Sequence, residues 1–215
     1  MVVTKTNEWP DFFTQVPRIQ LRDPLADLLG SVKGGVIEYG YADAVAMTGH
    51  SCPTVAAAYW LTVCALRALY QTEMPQRGGI RVMVRGPAYE GVSGVQASVI
   101  SLITGAAPVT GFRGIGGKHQ RANLLMFDAK IPAPFRFERL DTGDAVYAQA
   151  RMDVVSISSE CSLLLQRCLA DVADEHERQR FRELWQARVR SLLLDYGDDH
   201  EVFEIRPVFE IDPVG

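Results

Sequence analysis

A histidine and a cysteine lie two positions apart in residues 48–54, which read Thr-Gly-His-Ser-Cys-Pro-Thr. Pro53 opens a long apolar, Ala-rich run, and proline suits the first position of a helix because its missing N–H would have no partner there. The pattern therefore places His50 and Cys52 at the mouth of a helix, where the positive end of the helix dipole favours a thiolate. A thiolate beside an imidazole is either half of a soft metal site or a nucleophile with a base nearby.

Further ligands must come from elsewhere, because a zinc ion takes three or four protein ligands. Glu90 follows a predicted strand at residues 80–85 and precedes a second apolar helix, so its carboxylate is a candidate metal ligand or general base. A charge that complements the helix dipole explains Glu90 equally well. Ser93 is typical of a helix start.

A glycine-rich loop at residues 111–117 runs into Lys118-His119-Gln120-Arg121. The loop lacks the spacing of a nucleotide-binding P-loop and has no Ser or Thr after the lysine. Lys118 and Arg121 are candidate contacts to an anionic cofactor or substrate, and His119 is a candidate third metal ligand. A surface loop with solvated charges is the competing interpretation.

The elements that must position these residues can be predicted from hydrophobic periodicity and turn residues. Helices are expected from Asp23-Pro24 onward, over 53–70, over 91–104 with Gly105 as its C-cap, and over 158–196 with a break near Asp174. Strands are expected at 36–39, 80–85, 124–127, 135–139 and 146–154, those at 124–127 and 135–139 being neighbours, and near the end at 202–205 and 208–211. Residues 9–24 read as an irregular leader, and residues 41–47 as a short strand or turn.

Composition bounds the class of protein. The 215 residues are 47% hydrophobic and 22% charged, which fits one domain with a sizeable core. A net charge of −4 gives no basic field for nucleic acid. No apolar run is long enough for a membrane span, and residues 1–10 lack a signal-peptide pattern, so a cytoplasmic location is expected. The other cysteines (Cys64, Cys161, Cys168) fall in apolar helical patterns typical of buried free thiols.

Three stretches of the chain resemble the core domain of the formylmethanofuran dehydrogenase E-subunit family. Gly49-His50-Ser51-Cys52-Pro53 matches the family's Gly-His-x-Cys-Pro signature before an Ala-rich helix. Residues 95–105 match its helix ending in Leu-Thr-Gly, and Asn123-Leu124-Leu125 fits the Gly-Asn-Leu and strand that follow. The likeness covers residues 36–140, without the zinc finger that some members carry.

The resemblance implies an α+β fold, with an antiparallel sheet packed against helices, and a homodimer. It also implies a divalent metal at His50 and Cys52, with zinc the expected ion, and the departure from the family pattern described next admits iron as the second choice. Glu90 stands where the family has a cysteine, which replaces a soft ligand by a hard one, and Ser93 stands where it has an aspartate. The longer loop at residues 111–121 supplies His119 as a possible replacement ligand.

Residues 1–155 are therefore expected to form the α+β core, and residues 156–215 a helical extension with a terminal strand that packs on the core or on a dimer partner. The leading hypothesis is a metal-binding protein. Its catalytic version is a metal-dependent enzyme acting on a small anionic organic molecule, with Cys52 and Glu90 as catalytic groups. One alternative is a non-catalytic accessory module that carries a metal, haem or a pterin-type cofactor for an oxidoreductase. Another is metal-free thiol chemistry at Cys52, with His50 or His119 as the base.

Overall fold

The computed structural model describes residues 8–209, in which helices and strands follow one another along most of the chain. The α-helices of this range are α1 (Pro24–Leu28), α2 (Tyr41–Thr48), α3 (Pro53–Tyr70), α4 (Ser93–Thr104), α5 (Ser159–Leu169) and α6 (Glu175–Arg190). Its strands are β1 (Ile19–Arg22), β2 (Val36–Tyr39), β3 (Ile80–Val84), β4 (Leu125–Met126), β5 (Phe135–Arg139), β6 (Ala145–Ala150) and β7 (Phe203–Pro207). One turn of π-helix, Ser191–Asp195, continues α6.

The strands form two sheets, and the larger one carries the core. β1 and β2 make a small antiparallel ribbon, whereas the larger sheet has the order β4-β3-β5-β6-β7. Its neighbours are antiparallel except for the short parallel pair of β3 and β4. Successive side chains of a strand point to opposite faces of the sheet: Phe135 and Phe137 of β5 are buried, and Arg136 between them is partly exposed. Helices cover this sheet, which confirms the predicted α+β class.

The central helix is α3, which contacts β5, β6 and β7 of the sheet and packs against α2 and α4. Its apolar residues continue around the whole circumference, and a helix of that kind is stable only when it is buried on all sides. Tyr59, Leu61 and Leu66 are fully buried, as this pattern predicts. The helix therefore fixes the positions of the residues at both of its ends.

The C-terminal part of the described chain joins the same sheet. β7 pairs with β6, with Ile205 opposite Ala148, and so forms an edge of the larger sheet. α5 and α6 pack against each other, and α6 also contacts α3. The break near Asp174 is confirmed, because Asp174 is the N-cap of α6. The predicted terminal strand at residues 208–211 extends beyond the described residues.

Several sequence predictions of elements were wrong in type, place or extent, among them the strand expected at 146–154, which ends at Ala150. Residues 41–48 form a helix rather than a strand or turn, because Gly40 and Asp43 make a capping hydrogen bond at its start. The supposedly irregular leader contains β1, which needs β2 as its partner. β4 and β5 are not neighbours, because β3 lies between them. The second apolar helix begins at Ser93, two residues later than expected.

Every helix in the described range is too short or too polar to cross a membrane.

Candidate functional site

The loop at residues 49–52 connects α2 to α3 and presents both candidate donor residues. Gly49 has φ 78°, the left-handed conformation of a helix C-cap, and it ends α2. Cys52 has extended backbone angles and is the N-cap of α3, with Pro53 at the first helical position. The sequence prediction that the motif lies at the mouth of a helix is therefore confirmed.

His50 is exposed, and one nitrogen of its ring is held by the loop itself. Its Nδ1 lies 3.0 Å from the carbonyl oxygen of Thr48. A carbonyl oxygen only accepts hydrogen bonds, so Nδ1 carries the proton in the neutral ring, and Nε2 keeps its lone pair. Metal-ligating histidines commonly have this arrangement, in which a backbone carbonyl orients the ring.

Cys52 is partly buried, and its sulfur faces the first turn of α3. Sγ accepts a hydrogen bond from the backbone N–H of Val55 at 3.5 Å, as an N-cap side chain does. Negative charge on this sulfur is stabilised by the positive end of the helix dipole. The same geometry serves a metal-bound thiolate and a nucleophilic one.

Ser51 fixes the loop between these two residues. Its Oγ donates to Oε1 of Gln186 at 2.9 Å, and it therefore accepts from the hydroxyl of Tyr41, also at 2.9 Å. Its carbonyl oxygen accepts from Nε1 of Trp185 at 3.0 Å and from Nε2 of Gln186 at 3.3 Å. Burial raises the pKa of Tyr41, and the nearby Cys52 adds to that effect, so Tyr41 remains a neutral donor. Helix α6 thus holds the loop from the far end of the sequence.

Glu90 lies in the turn before α4 and is exposed. Its backbone N–H donates to Pro87 and its carbonyl accepts from Ser93, both at 3.3 Å, so the backbone of this turn is fixed locally. Among residues 8–209, no three His, Cys, Asp or Glu side chains are grouped as a metal site requires. Within one chain, Glu90 and His119 therefore do not complete a three-ligand cluster with His50 and Cys52.

The loop at residues 111–121 contains a tight hairpin rather than an open phosphate cradle. Ile115 and Lys118 exchange backbone hydrogen bonds of 2.9 and 3.0 Å across Gly116 and Gly117. Both glycines have positive φ, at 56° and 78°, as the two-residue hairpin turns favoured in proteins require. The glycine pattern therefore has a structural role, and the hairpin brings Lys118 and His119 to the wall of a cavity.

Arg121, at the end of the same loop, belongs to a buried charge cluster that the sequence analysis missed. Nη2 of Arg121 lies 2.6 Å from Oδ1 of Asp23, and Nη1 of Arg77 lies 2.9 Å from Oδ2 of the same carboxylate. Burial alone raises the pKa of Asp23, but its bonds to Arg77 and Ala26 and the charges of both arginines bring the net pKa below its usual value. We call Asp23, Arg77 and Arg121 the ion triad.

The cavity has a volume of about 660 Å³ and includes Lys118, His119, Arg77 and Arg121 in its wall. It adjoins the C-terminal end of α3, because Gln76 and Gly78 line it and also border Tyr70, the last residue of that helix. Cys52 lies at the other end of α3, whose 18 residues span about 27 Å. The predicted anion contacts and His119 are thus together, but one helix length away from Cys52.

A further cavity, of about 750 Å³, lies between α3 and the β6–β7 edge of the sheet. Cys64 and Arg67 of α3 face Phe203 and Ile205 of β7 across it. Burial raises the pKa of Cys64 to about 11, which keeps its thiol protonated at neutral pH. The sequence prediction of an inert structural thiol fits this environment.

No family model matches the sequence, and no curated protein matches it.

Proposed function

We propose that the protein binds one divalent metal ion through Nε2 of His50 and Sγ of Cys52, with zinc preferred and iron second. The observation that supports the proposal is the bond from Nδ1 of His50 to the Thr48 carbonyl, which leaves Nε2 with a free lone pair on an exposed ring. The helix-capping thiol of Cys52 follows two positions later in the same loop. The resemblance to the core of the formylmethanofuran dehydrogenase E-subunit family, which rests on residues 49–53 above all, implies the same two ligands.

The donor set suits such a metal but does not saturate it. Imidazole nitrogen and thiolate sulfur are ligands that zinc accepts, and iron accepts the imidazole. We assign the remaining positions to water, to a small ligand or to a residue of a second copy in a homodimer, since the described residues offer no third side chain nearby. An open position of this kind distinguishes catalytic zinc sites from structural ones.

Lewis acidity toward a small organic molecule is the chemistry that a bound zinc ion supplies. Glu90 is exposed in the turn before α4, and its carboxylate is the proposed general acid or base. The proposal gives Lys118 and Arg121 no role in orienting a substrate at His50 of the same chain, because they lie beyond the opposite end of α3.

Elemental analysis of the purified full chain tests the metal proposal. We expect close to one equivalent of zinc or iron per chain, and a loss of most of it in His50→Ala and in Cys52→Ser. His176→Ala and Cys168→Ser are matched controls, because they remove the same side chains from α6 and α5 and should keep the metal. Unchanged metal content in the two loop variants refutes the proposal. A mass measurement by light scattering, with and without chelator, tests the homodimer.

Metal-free thiol chemistry at Cys52 is the second candidate, favoured by the hydrogen bond from Val55 to its sulfur. It predicts that iodoacetamide modifies Cys52 well before Cys64 and Cys161, whose pKa values are raised by burial. At pH 8 a thiol with a pKa of about 11 is ionised in about one molecule in a thousand. Peptide mapping by mass spectrometry gives the order, and protein unfolded in urea is the control. Rapid labelling in metal-free protein with no metal uptake favours this candidate over the first.

A further inference from the structure

The ion triad carries a net positive charge inside the protein. Two guanidinium groups share the single carboxylate of Asp23, which is 3% exposed, while Arg121 is 7% exposed. Oδ1 of Asp23 also accepts the backbone N–H groups of Leu25 and Ala26, at 2.9 and 3.2 Å, as the N-cap of α1. The carboxylate of Asp23 therefore accepts four hydrogen bonds. Because two arginines share one aspartate, the ion triad keeps a net charge of +1.

One nitrogen of Arg121 has no partner among the described residues. Nη1 is buried, yet it donates no hydrogen bond. The backbone makes room for it: a Cβ on Gly78 would lie 1.4 Å from Nη1, and a Cβ on Gly105 would lie 2.9 Å from it. A buried N–H without a partner is costly and uncommon, so such a group points to a ligand that completes it.

The cavity that Arg121 helps to enclose is lined by cationic and neutral groups. Arg77, Lys118, His119 and Arg121 contribute its basic side chains, and Gln76 and Gln120 add amides. No carboxylate belongs to the lining residues of the described chain. Leu124 and Leu140 supply an apolar portion of the wall, as in sites for small organic molecules, and the volume of about 660 Å³ lies in the range of such sites.

We propose that this cavity binds a small molecule through an oxyanion group, a carboxylate or a phosphate, which accepts from Arg121 and Lys118. The guanidinium fork of Arg121 is held in place by Asp23, and the backbone of Lys118 is fixed by the tight hairpin turn at Gly116-Gly117. Planar guanidinium donors fixed in advance recognise oxyanions well, because little side-chain freedom is lost on binding. The site is independent of the metal proposal, since it lies at the other end of α3.

Titration calorimetry of the full chain with inorganic phosphate and with succinate, at constant ionic strength, tests the site. We expect saturable one-site binding of at least one of these anions, and the better ligand identifies the oxyanion class. Lys118→Gln should weaken that binding about fivefold to tenfold, because it removes one charged donor at a partly solvated wall. Arg113→Gln is the matched control, since it removes one charge from the same loop at an exposed position outside the cavity lining.

Arg121→Lys keeps the charge of the triad but removes the fork, and it should abolish measurable binding if the variant remains folded by circular dichroism. If it does not fold, the comparison of Lys118→Gln with Arg113→Gln decides the question alone. His50→Ala should leave the anion affinity unchanged, which separates this site from the metal proposal. Absence of saturable binding to the wild-type chain, or equal weakening by Lys118→Gln and Arg113→Gln, overturns the proposal.

Discussion

Arg121 occupies the space that a side chain on Gly78 would fill. Its Nη1 lies 1.4 Å from the position of a Cβ there, and Gly78 has φ 78°, where side chains are strained in any case. The two residues are 43 positions apart in sequence, so the need for glycine at position 78 arises only when the fold brings the loop at residues 111–121 onto the segment after α3. A glycine at this position is thus a requirement of the ion triad.

Gly78→Ala is expected to destabilise the protein strongly, and Gly30→Ala supplies the control. Gly30 has a similar φ of 68° but nothing within 4 Å of its missing Cβ. The control should cost about 1 kcal/mol, the strain of a left-handed alanine. Gly78→Ala should cost about 1–3 kcal/mol more, since the added methyl displaces a buried guanidinium. Urea unfolding measures both, and equal costs would contradict the close contact.

The sequence located the two candidate donor residues at the mouth of α3 because the placement of the loop depends on local rules. Gly49 ends one helix and Pro53 starts the next, and both signals lie within five positions of His50. The ion triad could not be found in this way, because Asp23 is 54 positions from Arg77 and 98 from Arg121. The only local signal was the basic end of the glycine-rich loop. It indicated Arg121 as a candidate anion contact but gave no indication of Asp23 or Arg77.

Helix α6 connects the C-terminal part of the chain to the candidate metal loop, and its start is fixed by a capping box. Oδ1 of Asp174 accepts the N–H of Glu177 at 2.8 Å, and Oε2 of Glu177 accepts the N–H of Asp174 at 3.1 Å. Three turns further on, Trp185 and Gln186 bind Ser51. Weakening the start of α6 therefore weakens the support of the loop.

Asp174→Ala should lower the free energy of unfolding by about 1 kcal/mol, the usual loss for an N-cap carboxylate. Thermal unfolding followed by circular dichroism measures the change. Gln179→Ala, at an exposed position within the same helix, should change stability by less than half as much. A larger loss in the control would show that the hydrogen bond from Gln179 to Glu183 stabilises α6 more than the cap does.

Long helices and turns with strong signals were the elements that the sequence predicted well. α3 has the predicted bounds, because Pro53 marks its start and an apolar run of 18 residues is too long for a strand. α2 was not recognised because its eight residues make little more than two turns, too few for a clear periodicity. The pairing of β4 with β3 depends on contacts across the sheet, and no local pattern encodes that order.

At the scale of the whole molecule, α3 separates two candidate sites, one at each end. Two carboxylates beyond its C-terminal end are paired with arginines. Asp141 binds Arg139 through Nη2 at 2.7 Å, and Asp23 binds Arg77 and Arg121. The bond to Arg139 brings the pKa of Asp141 from 3.8 to about 2, although burial alone would raise it.

The lowered pKa of Asp141 predicts a contribution to stability that depends on pH. Because the folded pKa lies below the unfolded one, the contribution is complete above about pH 4 and disappears as the pH falls toward 2. Asp141→Asn should therefore be less stable than wild type at pH 7, with a difference that shrinks on acidification. Urea midpoints from pH 7 to 2.5 measure it, and exposed Asp128→Asn is the control. A constant difference across this range would contradict the assignment.

The hydrogen bond from Trp185 to the Ser51 carbonyl couples an indole ring to the backbone between His50 and Cys52. The chain has two other tryptophans, of which one is buried with its indole N–H bonded to a carbonyl after α6, and the other stacks on a phenylalanine near the start of the described chain. The fluorescence emission of Trp185 should therefore change whenever an ion or small molecule binds at the loop and displaces it. Trp185→Phe should remove that change in emission. The molecule thus carries its own fluorescent reporter, which makes label-free screening of ions and small molecules feasible.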